Sequence, residues 1–395
     1  MKQSILRIIA LSLLVSTPFV ILIGRSTAQG SRNENRGTIV TQASPPEKTL
    51  EQVGKNIHVL NEVPQSQLYP VMRFMGASLG VQCGFCHAFK NGLLDSPSDD
   101  KPEKQTARNM IRMVIKINET LGQGEPRVSC FTCHGGHIAP QTFPRLPLPL
   151  PSPRAQAPAG PSALLQTSPN MKLDLPSADY ILNQYFTAIG GLDAIDRITS
   201  CLIKGTSERL NGGPLAYETG QSLPGKGYES FLTERGPGER VINGQRGWTK
   251  DADGVKELMG QQLLDQELSL PLFMILKLKD QYSSVRVLGR DKIDDSDVYV
   301  ISAVRRDNKR ERLYFEVENR LLRRRISYTD TRVGVIPEQT DFEDYRKVEG
   351  LKLPFMIRTL FVDGHIPIVT RQFTEIKLNV SLDQSKFNMP LAPAR

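Results

Sequence analysis

Cys83-Gly84-Phe85-Cys86-His87 and Cys130-Phe131-Thr132-Cys133-His134 repeat one pattern, C-x-x-C-H, in a chain of 395 residues. Two thiols at that spacing reach the two vinyl-derived carbons of one porphyrin, and the histidine that follows can meet the iron from one face. The same cysteine pairs could build a zinc site or two disulfides. Zinc accepts four cysteines but gives no reason for a His after each pair, and the gap between the pairs exceeds that of compact zinc modules. The pattern therefore predicts two covalent c-type haems with their iron, attached through Cys83, Cys86, Cys130 and Cys133, with His87 and His134 on the metal.

From Leu50 to about Pro140 the sequence reads as helical. Gln65 to Leu79 places Leu68, Val71, Met72, Met75 and Leu79 on one stripe and stops at Gly80, where a helix end favours glycine. Lys104 to Asn118 aligns Met110, Met113, Val114 and Ile117. A His-ligated iron has a sixth position, and a methionine there raises the reduction potential and closes the metal to substrates. Met72 precedes the first motif on its helix; Met110 and Met113 precede the second on theirs. A methionine stripe also serves as core filler, but a helix that packs on a porphyrin has reason to carry one. His58 and His137 compete for the same role, while His365 reads as a surface histidine.

Away from the motifs the chain divides by composition. Residues 1–28 read as an export signal that is cleaved: Lys2 and Arg7 begin it, Ile8 to Ile23 is its apolar core, and Ser26-Thr27-Ala28 offers small residues for cleavage. An uncleaved anchor is the competing reading. No Cys lies near the signal end, so a lipoprotein anchor is not expected. Residues 29–49 are a polar lead, 50–140 the haem domain and 141–175 a proline-rich linker. At 176–395 Ser177 caps a helix striped by Ile181, Tyr185 and Ile189 that ends at Gly190-Gly191. Strands follow at Asp297–Val304, Arg312–Val317, Leu321–Tyr328, Phe342–Arg346, Leu351–Phe361 and Ile366–Ile376, spaced for antiparallel hairpins. The predicted fold is multidomain, a mostly α multihaem cytochrome c domain followed by an α+β domain.

Hydrophobic residues at 39% and charged residues at 23% exclude a wholly disordered chain. The net charge of +8 falls to +5 once Lys2, Arg7 and Arg25 leave with the signal. Arg305, Arg306, Lys309, Arg310, Arg312, Arg320, Arg323, Arg324 and Arg325 make one region locally basic, read as the solvated edge of a hairpin; a patch facing anionic lipid or an acidic redox partner is the alternative. Cys201 reads as a small buried residue. No Ser-His-Asp set, phosphate loop or dinucleotide fingerprint stands out, and a nucleic-acid partner is not expected outside the cytoplasm.

Asn56-Ile57-His58-Val59-Leu60, Met72-Arg73-Phe74-Met75, Ser78-Leu79-Gly80-Val81-Gln82-Cys83, Ala107 to Met113, Ile117-Asn118 and Cys130 to Gly135 resemble the cytochrome c subunit of bacterial photosynthetic reaction centres. The resemblance spans about Lys55 to Pro140. It implies a sixth ligand from the helix before each motif, carried onto Met72 and Met110, with Met113 and His58 still open for the second iron. It also implies redox protein partners, such as a membrane-bound reaction centre or a respiratory complex, and photosynthesis as a setting. Well-known members carry four haems and many a lipidated N-terminal Cys; this chain has two motifs and no such Cys. Ile181 to Gly191, Arg312-Leu313-Tyr314-Phe315, Leu321-Leu322-Arg323 and Asp344 to Pro354 resemble the half-barrel of outer-membrane lipoprotein carriers of the LolA/LolB type. That resemblance implies a curved antiparallel sheet around a helix and lipid or membrane contact through the C-terminal domain.

Three function classes follow. The leading one is an exported, periplasmic or membrane-associated dihaem electron carrier without enzyme activity. A haem enzyme such as a peroxidase needs one iron left open. A lipid or lipoprotein carrier would use its haems as accessories.

Overall fold

Residues 47–121, 126–140, 175–209, 212–233, 236–252, 254–276, 278–361 and 367–389 are described by the computed structural model of this chain. The expected signal, most of the polar lead, the proline-rich linker and His365 lie outside them. The described residues fall in one unit, Thr41–Arg395.

The first part holds α1 (Leu50–Val53), α2 (Leu68–Leu79), a ribbon of β1 (Ala88–Lys90) and β2 (Leu93–Asp95), α3 (Pro102–Leu121) and α4 (Cys130–His134). Gly80 ends α2 in the left-handed region at φ 68°. This part is less helical than the sequence suggests. His58 lies in a run of bends, and the ribbon, Ala88 opposite Asp95, follows the first motif directly. Val71, Phe74 and Ser78 form the core face of α2, with Leu68, Met72 and Met75 flanking it. On α3 the buried side chains are Arg108, Ile111 and Val114.

The second part opens with α5 (Ala178–Ile189), capped where Tyr180 N–H donates to Ser177 Oγ at 3.2 Å, and α6 (Leu192–Asp196). Such a cap stabilises a helix by about 1 kcal/mol. Six strands follow: β3 (Ser200–Arg209), β4 (Leu215–Ser222), β5 (Lys226–Thr233), β6 (Gly236–Asn243), β7 (Arg246–Asp251) and β8 (Gly254–Leu258). After α7 (Gly260–Ser269) and α8 (Pro271–Leu276) come β9 (Tyr282–Ile293), β10 (Ser296–Arg305), β11 (Arg310–Glu316), β12 (Leu322–Thr331), β13 (Gly334–Val348), β14 (Leu351–Phe361) and β15 (Pro367–Leu378). All thirteen strands make one curved antiparallel sheet in the order β8-β7-β6-β5-β4-β3-β15-β14-β13-β12-β11-β10-β9. Alternation decides the faces. Tyr299, Ile301 and Ala303 of β10 and Leu313 and Phe315 of β11 join Tyr185, Phe186 and Leu272 in the main core, while Val298, Val300 and Tyr314 point into a second cluster on the other face. Cys201, on β3, is fully buried, and burial pushes its thiol up to about 12.

The basic region is not a solvated edge. Arg305 and Arg325 are only 4% and 7% exposed. Arg325 meets Glu311 at 2.5 Å, Arg305 meets Asp307 at 2.5 Å and Asp265 of α7 at 3.1 Å, and Lys309 meets Asp265 at 2.6 Å. Arg310 pairs with Asp330, Arg323 with Glu343 and Arg324 with Asp341. Asp265 on α7 and Asp330, Asp341 and Glu343 on neighbouring strands lie far along the chain from their bases, whereas Asp307 and Glu311 stand inside the basic run itself.

Candidate haem-attachment site

The first motif folds as a tight turn because the backbone leaves little choice. Phe85 N–H donates to Gln82 O, and the N–H groups of Cys86 and His87 both donate to Cys83 O, at 3.3 and 3.0 Å. Gly84 has no side chain where a Cβ would lie 2.8 Å from the ring of Phe89 in β1. Cys83 is exposed and Cys86 half-buried, and burial, then the Glu103 charge, raises the Cys86 thiol. Burial lowers the His87 imidazole, with Lys104 and Arg108 acting the same way against a hydrogen bond at the Ser96 backbone. The ring is therefore held neutral, the form that binds metal. His87 Nδ1 is buried without a hydrogen-bond partner.

Asn56, Asp99 and Arg108 lock the ribbon's exit onto α3. Arg108 donates to Asp99 Oδ1 at 2.9 Å and to Asn56 O at 3.3 Å, and Asn56 Nδ2 donates to the same carboxylate at 2.9 Å. Hydrogen bonds from Arg108, Asn56 and Lys104 hold the Asp99 carboxyl far below its ordinary value.

The second motif is α4 itself. Ser129 and Thr132 close a capping box at its start, and Gly135 ends it at φ 54°. Asn118 of α3 prepares the approach: its Oδ1 accepts from Arg127 and Val128 N–H at 2.8 and 3.0 Å, and its Nδ2 donates to Val128 O at 2.9 Å. Cys130 is buried, which pushes its thiol up to about 11, and Cys133 is exposed. His134 Nδ1 lies 3.0 Å from His137 O. An acceptor there fixes the ring orientation and leaves Nε2 for a metal, as the backbone carbonyl partner of a metal-binding His does.

Both motifs abut the C-terminal end of α2. Cys83 follows it in sequence, and Gly136 N–H, just past α4, donates to Ser78 O at 2.9 Å. Of the expected sixth ligands, Met72 is partly buried against the core that holds Cys130, beside Met75 of the same stripe. Met110 and Met113 are 42% and 44% exposed on the outer side of α3. His58 Nε2 is 2.6 Å from Asn56 Oδ1.

The donor set suits haem c better than its rivals. All five thiols are free, so the pairs are not disulfides. Among the described residues no three His, Cys, Asp or Glu side chains gather as a metal cluster, so the four motif thiols do not form a zinc cage. Phe89, Leu93 and Phe131 are exposed in or beside the motifs, apolar surface of the kind that a porphyrin covers. Three contributors escaped sequence reasoning. Asn118 acts through its side chain on a distant backbone. Val333 and Ile336 come from the β12–β13 hairpin yet pack in the same core as Cys130; the signal for Val333 was an apolar residue in a short turn.

Residues 25–159 match the family model described as photosynthetic reaction centre cytochrome C subunit, a span that encloses both motifs. The chain is also similar to cytochrome c-554 of Chloroflexus aurantiacus, 31% identical over 127 residues, 30% of this chain and 28% of that protein. It thus spans under a third of that relative's length. Among solved structures, a LolA superfamily protein from Nitrosomonas europaea is 13% identical with a TM-score of 0.39, over 54% of this chain and 99% of the other. A DUF1329 family protein from Desulfovibrio piger is 12% identical with a TM-score of 0.39, over 53% and 96%. Among the described residues no helix is long and apolar enough to cross a membrane.

Proposed function

We propose that this chain is an exported dihaem c-type cytochrome that passes electrons in a periplasmic or membrane-associated chain, with a membrane-bound reaction centre or respiratory complex as partner. The carrying observation is the pair of complete C-x-x-C-H turns, both with free thiols, set against one end of α2. Cys83 with Cys86 and Cys130 with Cys133 would hold the two groups, and His87 and His134 would bind iron. When bound, each haem supplies an iron that cycles between ferrous and ferric states. The chain's own work is to hold His87 neutral, to orient His134 through His137 O, and to cover the apolar faces with α2 and α3. Met72 would serve the first iron as sixth ligand, and Met110 would take that place on the second, with Met113 and His58 as rivals.

The exposure of Met110 and Met113 favours one further reading, a second iron with an open position, as a peroxidase would have. Cyanide binding to the ferric protein separates the two. The main reading is tested by acid-acetone extraction and a pyridine haemochrome assay. Colour that stays on the protein and two c-type haems per chain are expected; no c-type haem, or zinc in place of iron, overturns it.

A further inference from the structure

Hairpin tips normally stand in water, but half of the tip between β12 and β13 does not. The turn is Arg332-Val333, with Thr331 opposite Gly334, and Thr331 Oγ donates to Gly334 O at 2.7 Å. Val333 is 0% exposed and Ile336 2%. Both are buried by the haem module, in one cluster with Val63, Val71, Phe74, Ile111 and Cys130. Gly334, at φ 128°, lies so close to Ser129 that a Cβ would fall 2.4 Å from the Ser129 Cβ. Ser129 caps the very helix that carries the second motif. Arg332 reaches Glu62 at 2.5 Å and Glu119 of α3 at 3.8 Å, so the tip also ties the loop before α2 to the end of α3.

We propose that this hairpin tip is a positioning element for the second haem: Val333 and Gly334 form the wall behind Ser129-Cys130 and set how Cys130–His134 is presented. The proposal rests on reading that segment as a haem-attachment site. The sheet is then part of the redox unit, and a disturbance of β12–β13 is felt at one iron and spared the other. Arg332, 44% exposed at its side chain, adds little, since exposed ion pairs are weak.

The test uses the full exported chain with its own signal. Val333→Asp puts a carboxylate in the wall; Val333→Ala opens a small cavity there and keeps the chain foldable; Val333→Ile is the conservative control. Haem occupancy is read motif by motif by mass spectrometry of proteolytic peptides, and both potentials by optical redox titration. The proposal expects Val333→Asp and Val333→Ala to lower occupancy of the Cys130–His134 peptide or move one redox wave, with the Cys83–His87 peptide fully loaded and the other wave fixed. Val333→Ile restores the wild-type pattern. It is overturned if both waves and both occupancies stay unchanged in Val333→Asp and Val333→Ala, or if both motifs change in parallel. A wild-type chain without two c-type haems refutes the electron-carrier reading itself, a result visible before any variant is made.

Discussion

Gly80 shows how much one missing methyl group decides. A Cβ there would lie 2.3 Å from Gly136 O, and the residue sits at φ 68°. Gly80→Ala combines left-handed strain of about 1–2 kcal/mol with the displacement of the loop behind α4, and a thermal melt is expected to fall by several degrees. An unchanged melting temperature would mean that the two loops do not touch in solution. The sequence marked Gly80 as a helix end but not its second reason, because Gly136 comes from the far side of the second motif. Met72→Leu keeps volume and helix propensity while removing the thioether. The expected result is a folded protein with a lower potential at one haem and loss of part of the ferric absorption near the red end. If that band instead disappears in Met75→Leu or on His58 substitution, the ligand is another residue.

Elements that bury both faces were legible and those that bury neither cleanly were not. β10 and β11 carry the apolar runs Val298–Ile301 and Leu313–Phe315 between charged ends, and their positions follow from those runs. Between β3 and β8 the pattern is diluted by Gly220, Gly227 and Gly247, which make room for Tyr228, Leu270 and Leu263. The tie between α7 and the β10–β11 turn was invisible in the sequence because its acids and bases come from separate elements. Burial opposes the charge of Asp307, but the Arg305 hydrogen bond and charge outweigh it and hold the carboxyl below its ordinary value. A depressed carboxyl stabilises the fold above its unfolded value of about 4 and loses that contribution as pH falls through the folded value. Stability of the sheet should therefore decline in acid from about pH 4 downward. Asp307→Asn should cost about 1.5–3 kcal/mol at pH 7 and flatten that decline. Urea titrations at several pH values read both, and parallel curves for the two proteins would refute the assignment.

At the scale of the molecule, charge counts mislead until partners are known. The nine basic residues from Arg305 to Arg325 read in sequence as a solvated hairpin edge, with a membrane patch as the alternative, yet the arginines there are largely matched by Asp265, Asp307, Glu311, Asp341 and Glu343. If the expected signal removal leaves +5 and the two proposed haems bring about four propionate charges, long-range attraction to anionic lipid is expected to be weak. The mature protein should stay in the supernatant when anionic vesicles are sedimented at physiological salt; quantitative pelleting would restore the patch. Hairpins were readable because neighbours in sequence pair in space, but the joint between β3 and β15 was not, since it pairs Cys201 with Leu378. That joint has a consequence in time. β3–β8 and β9–β15 are two local meanders, each able to zip from its own turns, whereas the seam between them must wait until the last strand exists. A chain delivered from its N-terminus holds one edge of β3 open throughout, and pulse-labelled amide exchange during refolding should find the seam-facing amides of β3 and β15 gaining protection together, after those that pair within each meander.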